Sequence, residues 1–195
     1  MQTQTIKTFP HVTDLATPSP SRWYWIRTIT YWTCTVVIVF ELVAGSVWNL
    51  LQIEWVRIQF NHLGYPHYFA YILGVWHIGA AAAIIAPRFP RLKEWAYAGS
   101  LFLWSGAVAS HLLVGDGVNA WLVPLMFATF GIVSWALRPA DRRLSNAGLA
   151  AETRPLTWAV PIAVLLVLYV VSYLTLPAVN VAFHKRAVDL GWIAR

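Results

Sequence analysis

Charge is what this sequence has least of. Of its 195 residues only 11% are Asp, Glu, Lys or Arg, while 58% are hydrophobic. A soluble domain carries about 25% charged residues, so the composition points to a membrane protein, and the length to one domain. The net charge of +6 is spread in short clusters between apolar runs. Such clusters are topology signals rather than a phosphate-binding face, and nucleic acid is not expected as a partner. Cysteine is nearly absent too: Cys34 alone excludes an intrachain disulfide, a thiol relay and a cysteine-ligated iron–sulfur cluster within the chain. Residues 1–22 lack the apolar core and cleavage site of a signal peptide and read as a flexible tail. No Gly-rich phosphate loop, serine nucleophile elbow or zinc-protease helix occurs.

What is present is a series of uncharged runs. Tyr68 to Ala86 and Trp95 to Val114 fold back on each other across a basic corner, PRFPRLKE. Each is about 20 residues, enough to cross roughly 30 Å of hydrocarbon as a helix. Thr28 to Leu51, with Glu41 as its one formal charge, precedes them; Val118 to Leu137 and Leu156 to Leu176 follow. Residues 52–67 are too polar to cross, and Trp55, Ile58 and Phe60 suit a short amphipathic helix on the bilayer surface. The expected fold is all-α, a polytopic transmembrane helical bundle of five spans. The N-terminal segment, the central corner and the loop after residue 137 each carry +2, against +1 for the opposite side. By the positive-inside rule the N-terminus is cytoplasmic and the C-terminus outside.

The stretches HLGYPHYFAYILGVWH, APRFPRLKEWAYAGS and SGAVASHLLVGDG are similar to the DoxX-like family of small bacterial membrane proteins. LVAGSVWNLL before them and PLMFATFGIVSWALRPADRRL after them extend the resemblance over roughly residues 28–144. It implies a four-helix core over 23–144 in the bacterial cytoplasmic membrane. A cytoplasmic loop (145–155), a fifth transmembrane helix (156–176) and a C-terminal tail (177–195) then complete the chain. Some relatives are named as subunits of thiosulfate:quinone oxidoreductases or as parts of membrane redox complexes. The resemblance therefore implies a quinone as ligand and an accessory, oxidoreductase-associated role. His77 stands where the family usually has lysine, and Asn49 where it usually has aspartate.

Among individual residues Glu41 is the sharpest signal. A carboxylate within a span costs about 2.5–3.5 kcal/mol on insertion scales and faces a bundle interior or a wet cavity. Gly45, Trp48, Asn49 and Gln52 recur with it on one helical face. His77 shares a face with His67, Ala70, Gly74 and Ala81, while Tyr97, Trp104 and His111 share another. Depth counting brings Glu41 within about two turns of both His77 and His111, so it is expected to pair with one of them. Glu41, His77 and His111 are the candidate catalytic groups. Trp76 and Trp104 lie mid-span, where a tryptophan is no interfacial anchor, and suit a flat apolar ligand. Trp48, Asn49, His67 and Asp116 complete the expected ligand-binding set. Antiparallel threading is expected to gather His67, His111 and Asp116 at the outer mouth. His62, His67, His111 and Asp116 match a metal inventory, but no pair has a metal-ligand spacing, and no metal is expected.

Three readings of function stand at this point. The first is a protein that binds a lipophilic small molecule or serves a membrane redox system. The second is an isomerase-like intramembrane enzyme moving a proton on a lipid-like substrate. The third is a purely structural subunit with a protein partner or in a homo-oligomer. The bilayer is a partner in all three.

Overall fold

The computed structural model describes residues 22–139, 142 and 156–194; the expected N-terminal tail up to residue 21 and the whole of the expected loop over 145–155 lie outside them. The described residues are all helical, with no strand. Seven helices follow in order: α1 Arg22–Leu51, α2 Glu54–Leu63, α3 Tyr68–Ile85, α4 Pro90–Leu113, α5 Val118–Leu137, α6 Leu156–Leu174 and α7 Leu176–Asp189.

The uncharged runs become the long helices because only an internally hydrogen-bonded backbone is stable where water is excluded. Their ends fall where the local chemistry changes. Gln52 and Phe89 take left-handed φ values of 44° and 63°, and Gly64 (75°) and Gly115 (80°) do the same after α2 and α4. Pro90 then opens α4, at the position where its missing N–H costs nothing. Among the described residues four helices are long and apolar enough to cross a membrane: α1, α3, α5 and α6 from Thr157. The chain is a multi-pass membrane protein. α4 is as long as these, but Ser100, Ser105, Ser110, Gly99, Gly106 and His111 dilute its apolar content, so composition alone does not count it as a span. Over 177–195, where only a tail is expected from sequence, the chain forms most of one more helix, α7.

Helices α1, α3, α4 and α5 form a closed ring: α1 packs on α3 and α5, and α4 packs on the same two. α1 and α4 face each other diagonally. α6 packs on the outside of α1, and α7 returns to lie on α2. Ile38, Leu42, Val43, Ile84, Tyr97 and Trp104 are in the buried core of the ring.

The two ends of the ring differ. At one end the Lys93 ammonium, 1% exposed, donates to the carbonyls of Ala83 (3.0 Å), Ile84 (2.8 Å) and Ala86. It thereby neutralises the negative end of the α3 dipole and satisfies orphan carbonyls. Arg27 reaches the carbonyls of Leu137 (3.5 Å) and Arg138 (3.4 Å) at the same end. A buried chain of hydroxyls links three helices there. The Tyr97 hydroxyl lies 2.8 Å from Ser134 Oγ, Ser134 Oγ lies 2.8 Å from Thr35 Oγ1, and Thr35 donates to the Tyr31 carbonyl at 2.7 Å. The opposite end is covered by α2, α7 and the C-terminal residues, and there lies the site.

Candidate functional site

A cavity of about 840 Å³ occupies the ring between α1 and α4 and extends toward the α2–α7 end. Pockets for small molecules run roughly 300–1,000 Å³ and are mostly apolar with a few placed polar groups. Here the apolar walls include Phe40, Leu73, Leu103 and Phe127, and the polar centre is Glu41 with His77 and Trp104.

The polar centre is assembled across three helices. Trp104 Nε1 donates to Glu41 Oε2 at 3.2 Å, bridging the diagonal between α4 and α1. His77 Nδ1 lies 2.6 Å from the carbonyl oxygen of Leu73, which can only accept, so Nδ1 carries the hydrogen. The other ring nitrogen, Nε2, then faces Glu41 Oε1 across 3.9 Å. That gap is too long for a hydrogen bond. An oxygen seated beside it reaches both atoms at about 2.8 Å, an ordinary hydrogen-bond length. His77 is 5% exposed and Glu41 17%.

Two glycines make these approaches possible. A Cβ on Gly45 would stand 2.8 Å from His77 Cδ2, and one on Gly131 would stand 2.8 Å from Trp104 Cζ3. Any larger residue pushes the imidazole or the indole out of place. Toward the α2–α7 end, Asn49 donates to the Gly45 carbonyl at 2.7 Å. Trp48 Nε1 is buried beside the cavity with no hydrogen-bond partner. An unpaired buried donor costs about 1–3 kcal/mol, which an accepting ligand atom would recover.

The covered end holds a second polar cluster. The Asp116 carboxylate accepts from His111 Nδ1 (2.7 Å), His62 Nε2 (2.9 Å) and Trp192 Nε1 (3.3 Å). Gln59 Nε2 lies 3.2 Å from His111 Nε2, which is left to accept once Nδ1 donates to the carboxylate. The Trp192 ring stacks on His62 (4.7 Å) and on His111 (5.5 Å), and lies 5.1 Å from Trp55. Phe183 of α7 sits 4.8 Å from Trp55 and edge-on to Trp48 at 5.1 Å. Burial pushes the Asp116 carboxyl up, but the hydrogen bonds from His111, His62 and Trp192, with the charge of His62, together hold it below its ordinary value. Among the described residues no group of three or more His, Cys, Asp or Glu is placed to hold a metal ion.

The sequence model of the DoxX-like family matches residues 33–134. This chain belongs to the DoxX-like family. No curated protein and no solved structure matches it. The match runs from within α1 to near the end of α5, and so contains most of the ring and all of its polar centre. α6, α7 and Trp192 of this DoxX-like protein lie beyond it.

Of the residues singled out in the sequence, Glu41, Trp48, Asn49, Trp76, His77, Trp104 and His111 all line the cavity. They do not all meet. Glu41 meets His77 and Trp104, whereas His111 sits in the outer cluster with Asp116. His67 stands outside that cluster; its side chain is exposed and its carbonyl accepts from Gln52 at 3.1 Å. His62 takes the position beside Asp116 expected of His67. Trp76 lines the cavity and is 62% exposed at the same time. Gln59, Phe183 and Trp192 escaped the sequence reading. The one available signal was the amphipathic character of α2, which says that a face of it is covered but not by what.

Proposed function

We propose that this protein binds a lipophilic small molecule inside the helical ring, with the molecule's polar group at Glu41, His77, Trp48 and Trp104. The observation that carries this reading is the cavity of about 840 Å³ with an unpartnered buried indole N–H on its wall. A purely structural subunit has no use for such a space, since a void of this kind destabilises the ring that surrounds it. A quinone fits the donor set. Its carbonyl oxygens accept hydrogen bonds, the Trp48 N–H lacks an acceptor, and its flat ring suits walls such as Phe127 and Trp104. The quinone itself, and the role as accessory subunit of a membrane redox system, come from what the family resemblance implies.

A second reading is favoured by one observation. Glu41 Oε1 and His77 Nε2 face each other across 3.9 Å with the imidazole oriented by Leu73, an arrangement for an acid and a base to share a proton. An isomerase-like proton transfer on a lipid-like substrate would use that pair.

The membrane arrangement belongs to the same reading. α2, the turn at Asp116 and Trp192 meet at one end, after one, three and five passages of the chain along the bundle. This favours five crossings with α4 among them. The charge asymmetry favours a Lys93 end in the cytoplasm and a Trp192 end outside the bacterial inner membrane.

Mass spectrometry of lipids extracted from the protein purified in mild detergent tests the reading. A stoichiometric quinone or isoprenoid is expected in the wild type. Protein that is folded but free of any bound lipophilic molecule would refute ligand binding and leave the structural role.

A further inference from the structure

We propose that the cavity is loaded sideways from the bilayer, through a window between α3 and α4, and that its ligand is an amphiphile whose apolar chain rests in that window. The proposal rests on the ligand-binding reading above and adds the route and the chemical class.

The window has two fixed edges. At the cytoplasmic-facing end Lys93 of α4 holds the last carbonyls of α3. At the other end the Tyr65 hydroxyl, just before α3, lies 2.7 Å from Ser110 Oγ of α4. Between those ties α3 and α4 are the least closely packed neighbours in the ring. Trp76 of α3 and Phe102 of α4 line the cavity, yet are 62% and 74% exposed. Gly99 and Gly106 of α4 line it as well, and a Cβ on either would meet nothing within 4 Å. Side chains therefore reach both the interior and the outside at one level, which is an opening.

The other seams of the ring are tied more closely, and the cavity-lining Phe40 of α1 and Val123 of α5 are less exposed, at 40% and 39%. Leu50 lies against Gly74 between α1 and α3, and Trp104 against Gly131 between α4 and α5, each within 2.8 Å of a would-be Cβ. Thr35 and Ser134 close α1 on α5 at 2.8 Å. The outer mouth is covered by the Trp55–Phe183 and Trp55–Trp192 contacts and by the hydrogen bonds on Asp116. A molecule arriving from water must part that cover. One already dissolved in the bilayer meets the window directly, because α3 is membrane-spanning in length and composition and Tyr71, Ile72, Val75 and Ile78 beside the window are exposed. Its chain then passes between Trp76 and Phe102 without leaving an apolar environment. Its accepting head group reaches the Trp48 N–H and the Glu41–His77 gap.

Photolabelling tests the route. The probe is a long-chain fatty acid bearing a diazirine on its chain, in phosphatidylcholine vesicles holding the full-length protein; the comparison probe is a short, water-soluble diazirine acid. In the wild type the long-chain probe is expected to label Trp104 and Phe127 inside the ring as well as the outward-facing Val75. In a Gly99→Leu/Gly106→Leu variant, where each Cβ has open space and the rest of the leucine extends into the window, inward labelling should fall roughly tenfold or more. Labelling of Val75 and the melting temperature should stay as in the wild type. Unchanged inward labelling in the leucine variant overturns the window. Inward labelling by the water-soluble probe alone, raised by Trp192→Ala, overturns the window but keeps the binding cavity. No inward labelling by either probe overturns both readings.

Discussion

Gly45 of α1 lies so close to His77 of α3 that a single methyl group there would come within 2.8 Å of the imidazole Cδ2 and 2.9 Å of Nε2. The absence of a side chain at one position thus sets where the histidine faces Glu41. Gly45→Ala is expected to push His77 away from Glu41 and to destabilise the ring by about 1–3 kcal/mol, the usual range for overpacking. Thermal unfolding in detergent measures the second effect and the quantity of co-purified lipid the first. A variant with wild-type melting and full lipid content would show that the contact is not constraining.

Glu41→Gln is expected to separate ligand binding from stability. Glutamine keeps the shape of the side chain and an oxygen to accept from Trp104 Nε1, so the melting temperature should change little. It replaces a carboxyl group that can give or take a proton opposite His77 by an amide that cannot. A buried hydrogen-bonding group left without its partner costs about 1–3 kcal/mol, so a ligand bound at that gap should weaken by roughly fivefold or more. Titration of the purified variant with the lipid identified by mass spectrometry checks this; equal affinity would remove Glu41 from the binding site.

Asp116 gives the protein an acid sensitivity at its covered end. Its carboxyl is held below the ordinary value of 3.8, so it favours the folded state when ionised. That contribution is fully present above 3.8 and is lost as the pH falls through the lower, folded value. Asp116→Asn should cost about 1–3 kcal/mol at neutral pH, because His62, His111 and Trp192 lose a charged acceptor. The gap between variant and wild type should close on acidification. Melting curves across the acid range check both halves, and a gap independent of pH would contradict the linkage.

Single cysteines placed at residues 90 and 190, in a Cys34→Ser background, should react with membrane-impermeant thiol reagents from opposite sides of the membrane. Residue 90 is expected to label only from the cytoplasmic side and residue 190 only from outside. Labelling of both from one side would mean an even number of crossings and would put α4 outside the bilayer.

Much of this was legible in the chain because membrane insertion acts locally. A run of uncharged residues must close its own backbone hydrogen bonds, so the runs ending at Leu51 and Leu137 end there as helices too. The same energetics turned Glu41 inward, and helical periodicity put Ala70, Gly74, His77 and Ala81 on one buried face. Which histidine meets Glu41 was not legible. His77 and His111 were equivalent by depth counting, and the choice depends on the rotation and axial offset of packed helices, which sequence periodicity does not encode. The outer cluster lies further still from local rules. The turn at Gly64 decides that His62, not His67, faces Asp116, and Trp192 reaches Asp116 from 76 residues away only because α7 doubles back onto α2. Helices and their inward faces follow from near-neighbour chemistry along the chain; the cavity, its window and its cover follow from contacts between helices, and these exist only once the bundle has packed.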